Sequence, residues 1–210
     1  MTPPTPAAAA PPPEPITLLS SPAPERADAA RNRAKLLAAA AELIREQGAE
    51  RMTMDAVACA AKVGKGTVFR RFGDRVGLLL AVLDQAESDF QQAFMFGPPP
   101  LGPGAPPVER LRAFGVAALR HLRQHMDVYV EADKSASHRY SAPARLVRER
   151  HLTLLLGQAG VTGDRELLAG TLLASLDPGL VDHLLTVRGR DAAELEAGWL
   201  DLVARVTEPA

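Results

Sequence analysis

The segment Thr53–Phe72, TMDAVACAAKVGKGTVFRRF, decides the fold of the N-terminal half of the chain. It predicts two short helices, from Thr53 to about Ala61 and from about Gly64 to Phe72, joined by a tight turn. Helices of this length are marginal in isolation, so they must pack against neighbouring helices. The apolar side chains available for that packing are Val57, Val63, Val68 and Phe72.

The outer surface of the second short helix carries the side chains that DNA contact requires. Lys65 lies at its N-terminus, where backbone N–H groups and the helix dipole already attract phosphate. Thr67 offers a hydroxyl and a methyl group to a base edge, and Arg70 and Arg71 offer guanidinium groups to phosphate or guanine. Taken alone, each charged residue is more often simply part of a solvated surface. Together they favour a helix-turn-helix that enters the major groove.

The segments around this motif also read as helices, which makes the predicted fold all-α. Residues 28–47 place apolar side chains on one face, Gly48 is suited to end that helix, and Asp74 can cap a fourth helix reaching about Phe94. The dipeptide Asp177-Pro178 predicts a kink, because proline lacks an N–H and clashes with the preceding turn. Further helices are expected near 107–125, 127–135, 142–157, 164–187 and 191–206.

Proline-rich segments set the expected domain boundaries. Residues 1–24 hold nine of the 18 prolines and predict a disordered Pro/Ala-rich tail, with docking to a proline-reading partner as the alternative. A second cluster makes 97–106 a Pro/Gly-rich loop that helices cannot cross. The resulting plan is a helix-turn-helix domain at 25–73, a connector helix at 74–96 and a second helical domain at 107–207.

Charge is distributed unevenly along a chain whose net charge is only −1. Residues 26–75 hold eleven basic against six acidic residues, and the remainder holds thirteen against nineteen. A basic segment joined to an acidic remainder favours a polyanionic partner for the first. The single cysteine, Cys59, excludes a disulfide framework and is expected to be a small buried hydrophobe. With no apolar run of membrane-spanning length, a cytoplasmic protein is expected.

Residues 26–90 resemble the DNA-binding domain of the tetracycline-repressor (TetR) family of bacterial transcription regulators. The second half resembles the family only in size and helical content. The matching residues are Leu36, Leu37, Ala40, Leu43, Gly48, Thr53, Met54, Val57, Ala58, Ala61, Val63, Lys65, Gly66, Thr67, Val68, Phe69, Phe72, Asp74, Arg75 and Leu78.

The resemblance implies a homodimeric repressor that a small-molecule effector releases from a palindromic operator on double-stranded DNA. It implies that the fourth helix connects the DNA-binding domain to the effector-binding domain and that the last two helices form the dimer interface. It matches Lys65, Gly66 and Thr67 to base-approaching residues. It matches four others to phosphate contacts: Thr53, Phe69, Arg71 and Arg75.

Three positions depart from the family pattern. Lys62 stands where the turn usually has glycine, at a cost of about 1 kcal/mol if its φ is positive. Gly64 replaces a common serine cap, and it is a permitted but weaker cap. Phe69 lacks the usual tyrosine hydroxyl, which removes one expected hydrogen bond to phosphate.

The second half offers candidate sites without a decisive motif. We predict an effector pocket lined by His121, His125, Met126, Tyr129 and Tyr140, with ordinary core packing as the alternative. His121 and His125 have metal-compatible spacing, but the signature of helical zinc proteases is missing, and no metal or cofactor is expected. The dimer interface is predicted at apolar positions that could instead close the core of one subunit: Leu184, Leu195, Trp199, Leu202, Val203 and Val206.

Two rival functions remain at this stage. A helical small-molecule-binding protein or enzyme would carry its basic N-terminus incidentally, yet the sequence offers no nucleophile with a base, paired carboxylates or phosphate-binding loop, so no enzyme is expected. A non-specific architectural DNA-binding protein would bind with steep salt dependence and without sequence preference.

Overall fold

The computed structural model describes residues 24–132 and 143–208, and all regular secondary structure in these two ranges is α-helical. The all-α prediction is therefore confirmed. No helix in the described ranges combines the length and apolar character needed to cross a membrane. The helices are α1 (Pro24–Gln47), α2 (Met54–Ala60), α3 (Lys65–Phe72), α4 (Arg75–Phe96), α5 (Pro107–Gln124), α6 (Met126–Ala132), α7 (Pro143–Gln158), α8 (Arg165–Ala174), α9 (Pro178–Thr186) and α10 (Ala192–Thr207).

The chain divides into two units, residues 1–34 and residues 35–210. In the first unit the described residues, 24–34, form the N-terminal part of α1. The second unit holds the rest of α1 and all the other helices. Most of the predicted tail, residues 1–23, and the predicted pocket residue Tyr140 lie outside the described residues.

The helix ends follow the capping signals in the sequence. Gly48 ends α1 with φ of 85°. Asp74 caps α4 by accepting the N–H of Gly77 at 2.8 Å. The break at Asp177-Pro178 is complete, since α8 ends at Ala174 and α9 begins at Pro178 with Asp177 as its cap. Local capping chemistry therefore sets these boundaries.

The N-terminal core is built by α1, α2, α3 and the first half of α4. The predicted apolar face of α1 is buried here, and Val57 and Val68 are completely buried as the short helices require. One member comes from far along the chain: Val128 of α6 is also completely buried in this core. The other buried members are Leu36, Leu37, Ala40, Ile44, Ala49, Met52, Met54, Ala58, Leu78, Leu79, Ala81 and Val82.

The C-terminal core is built by the second half of α4 together with α5, α7, α8, α9 and α10. Phe90 and Phe94 of α4 pack edge-to-face with ring centroids 5.3 Å apart, and both contact the ring of Phe114 on α5. Helix α4 thus supplies Leu78, Leu79, Ala81 and Val82 to one core, and Phe90 and Phe94 to the other. The two cores share one continuous helix.

The predicted dimer interface is wrong at two positions. Trp199 is 3% exposed and donates its Nε1–H to the carbonyl of Leu111 on α5 at 3.1 Å, and Val203 is 1% exposed in the same core. These side chains close the core of their own subunit, because that face of α10 packs on α5. The other four positions keep partial exposure and stay a prediction: Leu184, Leu195, Leu202 and Val206.

Candidate nucleic-acid interface and a buried polar cluster

The turn between α2 and α3 is a Schellman motif with lysine at its left-handed position. The N–H of Val63 bonds the carbonyl of Ala58 at 3.0 Å, and the N–H of Lys62 bonds that of Cys59 at 3.1 Å. Lys62 has φ of 55°, the one positive φ at a non-glycine position among the described residues. The cost expected at Lys62 depends on a positive φ, and this condition is met. The turn holds α3 at a fixed angle to α2.

Replacing Lys62 by glycine should stabilise the protein by about 0.5–1 kcal/mol. Glycine removes the steric cost of the left-handed conformation, and part of this gain is offset by its freedom in the unfolded chain. The measurement is the free energy of unfolding in urea. Lys62→Ala is the matched control, because it keeps the Cβ and should change stability by less than about 0.5 kcal/mol. Equal values for the two variants would contradict a strained turn.

Helix α3 turns one apolar side inward and presents its polar side to solvent. Val68 is completely buried, while Lys65, Gly66, Arg70 and Arg71 are exposed and Thr67 is half-buried. Gly64 caps the helix without a side-chain hydrogen bond, so the first N–H groups of α3 receive no help from a cap side chain. The predicted residues of this helix are therefore accessible, and we call them the α3 surface (residues 65–67 and 69–71).

Lys65 and Phe69 lie next to each other on the α3 surface. The ammonium of Lys65 pairs with Asp55 at 2.7 Å and lies 5.7 Å from the centroid of the Phe69 ring. Both charged groups are more than half exposed, and such pairs contribute little stability. Lys65 can therefore exchange Asp55 for a phosphate at little cost. Phe69 is 40% exposed, an apolar ring on an otherwise polar surface.

Thr53 and Arg75 have structural tasks beside the α3 surface. The hydroxyl of Thr53 caps α2 by accepting the N–H of Ala56 at 3.1 Å. The guanidinium of Arg75 donates to the carbonyls of Ala49, Glu50 and Met52 at 2.5, 3.1 and 3.0 Å. Arg75 thus joins the start of α4 to the loop between α1 and α2, a role that the sequence did not indicate. Phosphate contacts by Thr53 and Arg75 stay a prediction.

The prediction that Cys59 is buried is wrong, since its side chain is exposed. Helix α2 spans only seven residues, and it buries Met54, Val57 and Ala58 on one side. Cys59 directly follows the buried Ala58 in sequence, but its side chain lies on the exposed side of α2. Its alanine neighbours gave no sign of this, because alanine is common on either side of a helix.

Four polar side chains from four helices meet at a second candidate site. Glu87 on α4 accepts hydrogen bonds from His121 of α5 (3.2 Å), from the Tyr129 hydroxyl of α6 and from Arg148 of α7. We call these four residues the Glu87 cluster. The side chains of Glu87, His121 and Arg148 are at most 15% exposed. The cluster ties α4 to three other helices through one carboxylate.

Aromatic rings surround the Glu87 cluster. Phe90 stacks on His121 with centroids 5.1 Å apart, and the guanidinium of Arg148 lies 4.9 Å from the Phe90 centroid. His125 lies 4.7 Å from His121 and donates its Nδ1–H to the His121 carbonyl at 2.9 Å. The structure thus brings together His121, His125 and Tyr129 of the predicted pocket, and Met126 packs on the same core.

Comparison with known proteins identifies the N-terminal part. Residues 36–82 match the family model for bacterial regulatory proteins of the tetR family. This segment contains α2, α3 and the turn described above. It forms a tetR-family domain. The resemblance drawn from the sequence is confirmed.

Curated relatives match the chain over a short segment only. An uncharacterized HTH-type transcriptional regulator of Mycobacterium tuberculosis and another of Mycobacterium bovis are each 45% identical over 47 residues. The match spans 22% of this chain and 23% of each relative. Relatedness in sequence is therefore established for less than a quarter of either protein.

Solved structures share the fold over most of the chain. SmeT of Stenotrophomonas maltophilia, in a complex with triclosan, is 20% identical with a TM-score of 0.59, covering 83% of this chain and 90% of that one. FadR of Thermus thermophilus, in a complex with lauroyl-CoA, is 21% identical with a TM-score of 0.56, covering 85% and 96%. At these identities the likeness is one of fold. It extends beyond the tetR-family domain to the helices around the Glu87 cluster.

The electrostatics of the Glu87 cluster favour an ionised carboxylate. Burial by itself raises the pKa of Glu87, but the hydrogen bond from His121, the charge of Arg148 and the hydrogen bond from Tyr129 together lower it to about 2. Burial and the nearby carboxylate raise the pKa of the Tyr129 hydroxyl, which stays protonated and donates. The cluster is a satisfied polar network inside an apolar core.

A second pair of polar side chains, His151 and Arg110, lies beside Phe94. The Nε2 of His151 and the Nε of Arg110 are buried without a hydrogen-bond partner. The His151 ring lies 4.6 Å from Phe94, and burial together with the charge of Arg110 lowers its pKa to about 4. At neutral pH, His151 is therefore uncharged.

Sequence reasoning missed Glu87 and Arg148. A signal for Glu87 was present, because Leu83, Glu87, Phe90 and Phe94 follow the i, i+4, i+7, i+11 spacing of a single helix face. A glutamate on that stripe is unusual, since glutamate is almost never buried without a partner. For Arg148 we find no comparable signal in the sequence.

Proposed function

We propose that this chain is a homodimeric transcriptional repressor that binds a palindromic operator through the α3 surface and is released by a small-molecule effector. The observation that carries the proposal is the geometry of α3. Complete burial of Val68 fixes the helix, and Lys65, Thr67, Arg70 and Arg71 lie on its accessible side. The tetR-family match over residues 36–82 supports the same reading. In this proposal the protein binds bacterial DNA in the cytoplasm and catalyses no reaction.

We assign separate roles to the residues of the α3 surface. Thr67, near the N-terminus of α3, approaches a base edge. Arg70 and Arg71, in the last turn, provide phosphate contacts that position the helix and make binding dependent on salt. Lys65 adds a further phosphate contact once it leaves Asp55. Arg75 and Thr53 hold the loop and the first short helix, so that α3 meets the groove at a constant angle.

Dimerisation follows from the small size of α3. Eight residues of helix span about 12 Å and contact only a few base pairs. Two copies related by a two-fold axis contact two half-sites at fixed spacing. The inward face of α10 is already used by the subunit's own core, which leaves its outward side for the partner. Leu154 of α7 and Leu167 of α8 are exposed apolar side chains that are also available to a partner subunit.

We place the effector among the helices that build the Glu87 cluster. The fold neighbours SmeT and FadR have been solved with triclosan and lauroyl-CoA, both of which carry large apolar parts. The aromatic rings of Phe90, Phe94 and Phe114 would provide a matching apolar surface here, and His121 and Tyr129 would provide polar contacts. By thermodynamic linkage, the effector must weaken operator binding by the same factor as operator weakens effector binding.

Selection of bound sites from random double-stranded DNA tests this function. A recovered two-fold symmetric site is the expected result. Thr67→Ala should lower the preference for that site over its single-base variants by about tenfold. Arg71→Ala should instead weaken binding to all sequences alike and reduce the salt slope by about one unit.

The other outcomes identify the rival functions. Binding that depends steeply on salt but recovers no common sequence would indicate an architectural DNA-binding protein. No retention of DNA at low salt would indicate a helical ligand-binding protein. Equal behaviour of Thr67→Ala and Arg71→Ala would show that the roles assigned to these two residues are wrong.

A further inference from the structure

Arg110 and His151 form a polar pair where α4, α5 and α7 meet. Arg110 lies in the first turn of α5, His151 lies in the middle of α7, and both lie beside Phe94 of α4. The Nε of Arg110 and the Nε2 of His151 are shielded from solvent and make no hydrogen bond within the described residues. Buried polar atoms in proteins normally have a partner, so these two atoms are exceptions.

The positive charge of Arg110 has no matching carboxylate. One terminal N–H group donates to the backbone carbonyl of Phe94 at 3.3 Å, and within residues 24–132 and 143–208 no acidic side chain forms an ion pair with Arg110. Arg148, which packs on the same aromatic group, is paired with Glu87. One arginine beside the aromatic rings is therefore neutralised by a carboxylate, and the other is not.

The pair borders an apolar surface and can be reached from solvent. The ring of His151 has its centroid 4.6 Å from that of Phe94 and 5.7 Å from that of Phe114. Both His151 and Arg110 keep partial exposure, although the two nitrogen atoms without partners are covered. A ligand at this position would therefore meet hydrogen-bond donors at one end and aromatic rings along its body.

The charge of the Glu87 cluster decides which end of the aromatic group suits an acid. Glu87 is ionised, since its pKa is lowered to about 2, and its cluster lies against Phe90. A ligand carboxylate beside Glu87 would meet a second negative charge, whereas one beside Arg110 would meet a positive charge. Electrostatics thus favours an acidic group at Arg110 and His151.

We propose that Arg110 and His151 bind the carboxylate of an organic acid whose apolar body lies against the rings of Phe94 and Phe114. Arg110 provides the charge and the Nε–H donor. The neutral His151 ring donates from Nε2 in the tautomer that carries its proton there. The inference rests on the proposed function, in that the acid would be the effector, and it names the chemical class of that effector.

Calorimetric titration of the DNA-free, full-length protein with octanoate and with octanamide tests this site. The two probes share an alkyl chain, but only octanoate is charged. Octanoate should bind about tenfold more tightly or better, because its hydrogen bonds to Arg110 are charge-assisted. Acetate, which lacks the apolar body, should bind about a hundredfold more weakly than octanoate.

The His151 ring reports binding at the proposed position. Its pKa is lowered to about 4 by burial and by the charge of Arg110. A carboxylate beside the ring favours the protonated form, so octanoate should raise the pKa of His151, as followed by NMR of the ring protons. Octanamide brings no charge and should leave this pKa unchanged. A bound octanoate that leaves the His151 pKa unchanged would overturn the proposal.

Substitution of Arg110 separates charge recognition from a structural effect. Arg110→Gln should lower the affinity for octanoate about tenfold and change that for octanamide less than about twofold. A merely structural role of Arg110 would weaken both probes alike. Arg112→Gln is the matched control, because it removes the same charge from an exposed position of the same helix and should leave both affinities unchanged.

Three further results would overturn the proposal: equal affinity of the wild type for octanoate and octanamide, no binding of octanoate, or an equal loss of both affinities in Arg110→Gln. Should that variant fail to fold, the wild-type affinities and the His151 pKa decide. A failed DNA site selection would remove the proposed repressor function and leave the acid site to these titrations. Absence of a preference for the acid would remove the site even if a palindrome were recovered.

Discussion

Replacing Glu87 by alanine should lower the free energy of unfolding by about 3–5 kcal/mol at neutral pH. The substitution leaves the guanidinium of Arg148 buried without its carboxylate, and it removes the acceptor of both His121 and Tyr129. A substitution that leaves a buried charge without a partner is one of the few single changes that destabilise a protein by this much. Unfolding in urea, followed by circular dichroism, measures the effect.

Glu196→Ala is the control for the loss of a carboxylate. Glu196 pairs with Arg120 at 3.0 Å, but the arginine is 66% exposed, so the expected loss is below about 1 kcal/mol. The double variant Glu87→Met, Arg148→Met should recover much of the stability, because it removes both charges from the core. Equal losses for Glu87→Ala and Glu196→Ala would contradict a tightly paired cluster.

The same cluster predicts the acid sensitivity of the protein. The pKa of Glu87 is about 2 in the folded chain and near 4.5 in the unfolded chain. A carboxyl group with a lowered pKa contributes its stability fully above the unfolded value and loses it as the pH falls from 4.5 to 2. The contribution is about 3 kcal/mol. Glu87→Ala should therefore have a flatter stability profile than the wild type in this window.

Replacing Gly115 by alanine should destabilise the protein by about 3 kcal/mol. A Cβ at this position would lie 1.8 Å from Cε2 and 2.1 Å from Cδ2 of Trp199, so the indole ring would have to move. Trp199 is 3% exposed and hydrogen-bonded to Leu111, which leaves it little room. Overpacking of a well-filled core costs this much even though alanine favours the helix.

Gly198→Ala separates this clash from the general effect of a helical glycine. Gly198 also lies inside a helix, α10, and nothing lies within 4 Å of the Cβ it would gain. Alanine there should stabilise the protein by about 0.5–1 kcal/mol. The variant Gly115→Ala, Trp199→Leu should recover part of the loss through the smaller side chain. A gain for Gly115→Ala equal to that for Gly198→Ala would contradict close packing of α10 on α5.

The parts of the structure that depend on neighbouring residues could be predicted from the sequence. The end of α1 before Gly48, the start of α4 after Asp74, the break at Asp177-Pro178 and the burial of Val68 all follow from capping, proline geometry and helical periodicity. For Lys62, the sequence supported only a conditional expectation, because the family pattern has glycine at this position of the turn, and its φ of 55° meets that condition. In each case the cause and the effect lie within a few residues.

The parts that depend on meetings between distant segments could not be predicted. Glu87, Tyr129 and Arg148 come from three helices, and no local pattern indicates that their side chains meet. Trp199 shows a second limit. The apolar face of α10 is real, but periodicity cannot distinguish a helix that packs on its own subunit from one that packs on a partner.

The participation of Val128 in the N-terminal core has a consequence for protein engineering. A hybrid that joined residues 1–96 to a foreign effector domain would lose Val128 and Asp127. The loss of Val128 would leave a hole in the N-terminal core, and the loss of Asp127 would leave the Ala49 amide without its acceptor. A functional graft needs a matching valine and aspartate in the incoming domain. The exchangeable module of this protein is therefore a discontinuous set of residues, which no single crossover point can transfer.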